Sequence, residues 1–153
     1  AAGRYEEALA LYRRIGDRLG EADAIKGLGD VAHAQDRYGE AAERYEEALA
    51  LYRQIGVRLG EANAIKGLGD LARAQGRYEE AAGRYEKALA LYRQIGDRLG
   101  EANTLLTQGR LARAMGELDR ARAAYREAER IYRAIGRDRD AERAAAEAKE
   151  LPA

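Results

Sequence analysis

Acid–base chemistry in this sequence would have to come from the carboxylate pairs Glu46–Glu47 and Glu79–Glu80 and from the one histidine, His33. Anion binding would fall to Lys26 and Lys66. None of these sets assembles into a catalytic pattern. Cys and Ser are absent, so the usual nucleophiles are missing. His33 gives way to Arg73 forty residues on, and the carboxylate pairs fall on the outer, solvated face of a helix. A metal needs converging ligands, and no His/Asp cluster has ligand spacing. Gly67-Leu68-Gly69 lies in mid-helix and lacks the strand that precedes a phosphate-binding loop. The expectation is a protein that is not an enzyme, with no catalytic residue, no cofactor and no metal ligand.

Composition narrows the partners further. The 27 basic and 27 acidic residues leave net charge near zero, with no basic stripe of the kind nucleic-acid binding requires. Neutrality also gives no electrostatic pull toward a membrane surface, and no apolar run approaches the roughly 18 residues of a spanning helix. The expected partner is therefore a protein or peptide, with no nucleic acid and no membrane. A chain without Cys fits a reducing compartment, and the cytoplasm is the expected location.

The elements that position these residues follow from a period of 40. Residues 22–61 repeat residues 62–101 with eight changes in forty positions, and residues 102–141 repeat them more loosely. Such near-identity is what recent duplication or a consensus-like design leaves. The pattern divides one array over 1–153 into a partial repeat (1–21), full repeats (22–61, 62–101, 102–141) and a C-terminal capping helix (142–153). Within the unit, Tyr78, Ala81, Ala82, Tyr85, Ala88, Leu89, Tyr92 and Ile95 fall at steps of three and four, one stripe of a helix. Leu59, Ala62, Ile65, Leu68, Gly69 and Ala72 make a second stripe. No segment alternates with period two. Each unit is thus two helices, and the chain reads as eight, at 3–15, 18–35, 38–55, 58–75, 78–95, 98–115, 118–135 and 138–150. Gly16, Gly56, Gly76, Gly96, Gly116 and Gly136, with Asp36, stand where left-handed C-caps are wanted. Asp17 and Asp97 stand at N-cap positions that Val57 cannot serve.

Leu68-Gly69, Gly76, Tyr78, Ala81, Tyr85 and Ala88-Leu89 resemble the tetratricopeptide repeat signature, as do Leu28-Gly29, Tyr38, Ala41, Tyr45 and Ala48-Leu49. The 40-residue length is similar to the long-repeat branch of kinesin light chains and of the sensor arrays of bacterial signalling ATPases. The resemblance implies an all-α fold, a right-handed α-solenoid of antiparallel helix pairs with about eight helices. It also implies that the first helix of each repeat lines a concave groove taking a peptide or partner helix.

On that implication the groove residues are Asp23, Lys26, Gly27, Asp30, His33 and Ala34 in one repeat. They are Asn63, Lys66, Gly67, Asp70, Arg73 and Ala74 in the next, then Asn103, Leu106, Thr107, Arg110, Arg113 and Ala114. Each set shares one helix face. Gly27 and Gly67 would let a ligand backbone approach, since no helix-packing rule asks for glycine there. The family's carboxylate clamp is not expected: Lys26 and Lys66 match its first lysine, but Asp30 and Asp70 replace asparagine and would repel a carboxylate. The kinesin cargo mode is not expected either, because its asparagine positions hold Gly27, Gly67 and Thr107.

The chain opens in mid-repeat, which reads as a piece of a longer array. The opening helix carries Tyr5, Leu9 and Tyr12 without a partner helix before it, so an apolar face should lie open. The alternative function is therefore self-association, as a structural repeat module whose open N-terminal helix drives homo-oligomerisation, twofold or head to tail. At the other end Ala144, Ala145 and Ala148 should face inward, and Arg143, Glu147 and Glu150 outward.

Overall fold

The computed structural model describes residues 1–153 and contains eight α-helices and no strand. They are α1 (Ala2–Ile15), α2 (Arg18–Ala34), α3 (Tyr38–Ile55), α4 (Arg58–Ala74), α5 (Tyr78–Ile95), α6 (Arg98–Ala114), α7 (Leu118–Ala134) and α8 (Asp138–Lys149). The chain divides into two compact units, Ala1–Arg77 and Tyr78–Ala153. In the first, α2 packs on α1 and α3, and α3 also packs on α4; in the second, α6 packs on α5 and α7, and α7 on α8. Only two or three residues join successive helices, so these neighbours run antiparallel.

The punctuation is local chemistry. The six glycines after the helices have φ between 72° and 78°, a region that L side chains rarely enter, and Asp36 takes the same turn at φ 57°. At the other ends, the Asp17 carboxylate accepts from the Gly20 N–H at 2.8 Å, and that of Asp97 from the Gly100 N–H at 2.9 Å. Val57 holds the same backbone geometry (φ −89°, ψ 91°, against −81° and 93° at Asp17) with no side-chain cap. The site is therefore shaped for a cap it lacks. Val57→Asp should raise stability by about 1 kcal/mol, read as a higher urea midpoint. An unchanged midpoint would mean the fourth helix start is held by packing alone.

Burial follows the two stripes with one shift. Ala62, Ile65, Leu68 and Ala72 are buried as the spacing predicts, but Leu59 is 45% exposed. Gly60 is buried in its place, because α4 turns its first-turn glycine rather than its leucine toward Tyr52 of α3. This is part of a recurring device. A Cβ added at Gly20, Gly60 or Gly100 would overlap the ring of Tyr12, Tyr52 or Tyr92, eight residues earlier in each case. Gly29 and Gly109 similarly seat Tyr45 and Tyr125, at 2.8 and 2.5 Å from the position of an added Cβ.

These seats reverse the sign expected from helix propensity. Alanine in mid-helix is favoured over glycine by about 0.8–1.0 kcal/mol. Gly60→Ala, in the first turn of α4, gains no more than that and must displace a ring that is 3% exposed, an overpacking cost of about 1–3 kcal/mol. The net change should be a loss. Gly83→Ala, where nothing lies within 4 Å of the added carbon, should give a gain of about 1 kcal/mol. Thermal melts of the two variants moving in the same direction would refute the seat.

Candidate functional site

The polar stripe of the first-of-pair helices is built on tyrosine. In the Ala1–Arg77 unit, the Tyr45 hydroxyl donates to Asp30 at 2.9 Å and the Tyr52 hydroxyl to Asp23 at 2.6 Å. In the Tyr78–Ala153 unit, the Tyr132 hydroxyl donates to Asn103 Oδ1 at 2.6 Å. Each ring lies buried on the second helix of its repeat and its tip reaches an acceptor on the first. Burial pushes the Tyr45 and Tyr52 hydroxyls well above the ordinary tyrosine range, and the facing carboxylates push the same way. Asp23, Asp30 and Asn103 therefore have a packing task whether or not they meet a ligand.

The remaining stripe residues fall into groups. Lys26 pairs with Asp30 at 2.8 Å and Lys66 with Asp70 at 3.1 Å, each one helical turn apart. Asn63 is half-buried beside them, and His33 sets its ring edge-on to Tyr38. Arg73 differs: its Nε is buried and makes no hydrogen bond. The α2 and α4 stripes belong to one compact unit, and those two helices touch.

Gly27 and Gly67 are not open floor. Both are buried, Gly27 beneath the Tyr5 ring and Gly67 with the Tyr45 ring 3.1 Å from the position of an added Cβ. The packing rule that sequence reasoning missed is the spacing of 22 residues from tyrosine to glycine, visible in both copies. Leu106 and Thr107 are likewise buried, the Thr107 hydroxyl donating to the Asn103 carbonyl at 2.9 Å.

In the second unit the charges are spoken for. Arg110 grips Glu147 of α8 through Nε at 3.0 and 3.1 Å as well as through Nη2, and Arg113 reaches Glu150 at 3.4 Å. The hydrogen bond from Arg110 holds the Glu147 carboxyl below its usual range and lifts the Arg110 pKa. Glu147 is thus no outward, solvated residue: the closing helix uses it to neutralise the stripe. Ala144 is buried as expected, with Ala145 and Ala148 half-buried. Glu21 and Glu101, buried at 8% and 5%, form a second missed group. Each is held by two arginines, Arg13 with Arg18 and Arg93 with Arg98. The recurrence of glutamate at Glu21, Glu61 and Glu101, one per period of 40, was the available signal.

The tetratricopeptide repeat model matches residues 1–54 and 60–134. The chain belongs to the tetratricopeptide repeat family. Tetratricopeptide repeats are generally non-catalytic and bind proteins or peptides. No curated protein matches the chain significantly. Among solved structures it is similar to BtubC from P. vanneervenii, at TM-score 0.69 and 21% identity over 96% of this chain and 72% of that one. It is also similar to the Rap conjugation gene regulator of plasmid pLS20, solved in complex with the Phr* peptide (TM-score 0.75, 16% identity, 97% of this chain, 47% of that one). A third likeness is to a signal transduction ATPase with a tetratricopeptide repeat sensor from Pyrococcus horikoshii (TM-score 0.68, 18% identity, 97% and 27%). At these identities the likeness is one of fold, and this tetratricopeptide repeat chain spans less than half the length of the last two.

Away from the polar stripe, Ala82, Leu111, Ala112, Met115 and Ala124 floor a cavity of about 130 Å³ rimmed by Glu86, Gln108, Glu117 and Arg120. No group of three or more His, Asp or Glu is placed to hold a metal ion. No helix is long and apolar enough to cross a membrane.

Proposed function

We propose that this chain is a non-catalytic scaffold that captures a peptide or partner helix on the α2–α4 face of the Ala1–Arg77 unit. The observation that carries this is Arg73, whose buried Nε has no acceptor within the protein. A buried donor without a partner costs about 1–3 kcal/mol, more when charged, and a ligand acceptor would relieve that cost. Lys66, Lys26 and the two aspartates lie on the same stripes, so a partner would meet alternating charge rather than one sign. An acidic side chain or a main-chain carbonyl at Arg73 is the chemistry this arrangement favours. The Arg110 and Arg113 end plays no part in the reading, since Glu147 and Glu150 already occupy those cations. The family supports the general class, and the Phr* complex of the Rap regulator is a precedent for peptide capture on this fold. A cytoplasmic location belongs to the same reading.

The test is selection from a displayed random peptide library on the intact chain. Enriched peptides should carry an acidic residue, and the paired reversal Lys66→Glu with Arg73→Glu should cut their affinity at least tenfold while the melting temperature moves by only a few degrees. No enrichment, or enriched peptides that bind the double variant equally well, would dispose of the reading.

A further inference from the structure

The apolar cavity lies wholly within the Tyr78–Ala153 unit, between α5, the end of α6 and α7. Its volume of about 130 Å³ is close to the roughly 150 Å³ in which an apolar protein cavity holds benzene, so it fits one small group rather than a cofactor. Ala124 on its floor stands where the two earlier copies carry Arg44 and Arg84, and Met115 where they carry Gln35 and Gln75. Those two arginines are largely covered, with 34% and 28% of their side chains exposed. The stem of Arg44 lies against α2, its Cβ 3.3 Å from the position of a Cβ added at Gly29. Alanine at 124 withdraws both stem and guanidinium and leaves space above Leu111 and Met115.

Charge changes along with shape. Glu86 keeps the phase of Glu6 and Glu46. Arg37 donates to Glu40 at 2.6 Å, but in the third copy the pair is inverted, and Arg120 donates to Glu117 at 2.7 Å. In each earlier copy two carboxylates balance two arginines at these positions: Glu6 and Glu40 against Arg37 and Arg44, then Glu46 and Glu80 against Arg77 and Arg84. Here Glu86 and Glu117 face Arg120 alone, so the rim carries one net negative charge.

We infer that this cavity receives an arginine side chain of a partner protein, its methylene stem on the apolar floor and its guanidinium at the carboxylate rim. A planar guanidinium bonds a carboxylate through two parallel N–H groups and is less strongly hydrated than an ammonium, so arginine suits a half-enclosed site better than lysine. Glu117 already holds Arg120, and Glu86 supplies the carboxylate for the incoming cation. Met115, unbranched and polarizable, adjusts to the stem that enters. The cavity and the α2–α4 stripe lie in different units, and neither depends on the other.

Met115 is the only methionine in the chain, so a carbon-13 methyl label gives a single resonance, at the cavity floor. Titrating the intact chain with butylguanidinium should move that resonance saturably. Butylurea, of the same shape without the charge, should bind at least fivefold more weakly. Glu86→Gln, at an exposed residue, should weaken butylguanidinium at least fivefold without altering the melt. Ala124→Arg restores the residue of the earlier copies and should abolish the shift while the melting temperature holds or rises. A capped Ala-Arg-Ala peptide should bind at least as tightly as butylguanidinium, and its lysine counterpart at least fivefold more weakly. The proposal is overturned by a resonance that does not saturate, or by equal binding of butylurea, of the lysine peptide, or of butylguanidinium to the Ala124→Arg chain. Binding of butylguanidinium without binding of the arginine peptide would overturn it in favour of a free small cation.

Discussion

Tyr45→Ala should lower the stability of the Ala1–Arg77 unit by about 3–5 kcal/mol, the range for removing a large buried aromatic side chain. The ring is 2% exposed and lies between Gly29 of α2 and Gly67 of α4, so no flexible neighbour stands ready to fill the space. Both flanking residues lack side chains. Removal therefore leaves a slot between helix backbones that can close only by shifting the helices. It also strips Asp30 of one donor, leaving its pair with Lys26. In a repeat chain stability is nearly a sum of unit and neighbour terms, and this residue contributes to two neighbour terms at once. Urea unfolding followed by far-UV circular dichroism should show a midpoint well below that of the parent. Tyr45→Phe, which keeps the ring, should fall by about 1 kcal/mol, the worth of an ordinary hydrogen bond. Equal losses in the two variants would place the energy in the hydroxyl and refute the slot.

That slot marks where sequence reading stops. The helices were legible to within a residue or two, because caps and apolar spacing are local: Gly56 and Asp17 act through their own backbone and the next turn. Gly29 and Gly69 were legible as positions of the repeat signature. Gly27, Gly67 and Gly60 were not, since each is explained only by a tyrosine on another helix, and a helical wheel does not show which ring lands on which backbone. The same reason misplaced Leu59. The stripe residues were found on the correct helix face, but a face has width. Asp23 and Asp30 sit on its edge, where a tyrosine tip reaches them, and Glu147 could be seen as a partner of Arg110 only when α8 was in place. Exposed polar side chains in sequence look alike whether they await a ligand or already hold a neighbour. Arg73 became distinguishable from Arg113 only through what each one touches.

The buried tyrosines also set an alkaline limit on stability. Burial raises the pKa of Tyr45, Tyr52, Tyr125 and Tyr132 above the ordinary value of 10.0. Nearby carboxylates add to the effect: Asp30 at Tyr45, Asp23 at Tyr52, Glu147 at Tyr125 and Asp140 at Tyr132. The unfolded chain releases these protons near pH 10, whereas the native chain holds them to higher pH. Their contribution is therefore complete below pH 10 and is lost as pH rises from there toward the native values. Within that window each tyrosine held back costs about 1.4 kcal/mol per pH unit. The fall in stability should therefore begin near pH 10 and steepen above it. The ion pairs do not produce this limit, because 23 of the 27 basic residues are arginine, which stays protonated above pH 12. A titration of tyrosinate absorbance at 295 nm should accordingly show a late, cooperative step that coincides with loss of helical circular dichroism, and Tyr52→Phe should make the fall in stability shallower. Ionisation of all ten tyrosines near pH 10 with the helices intact would mean that the rings do not share the burial that seats them on glycine.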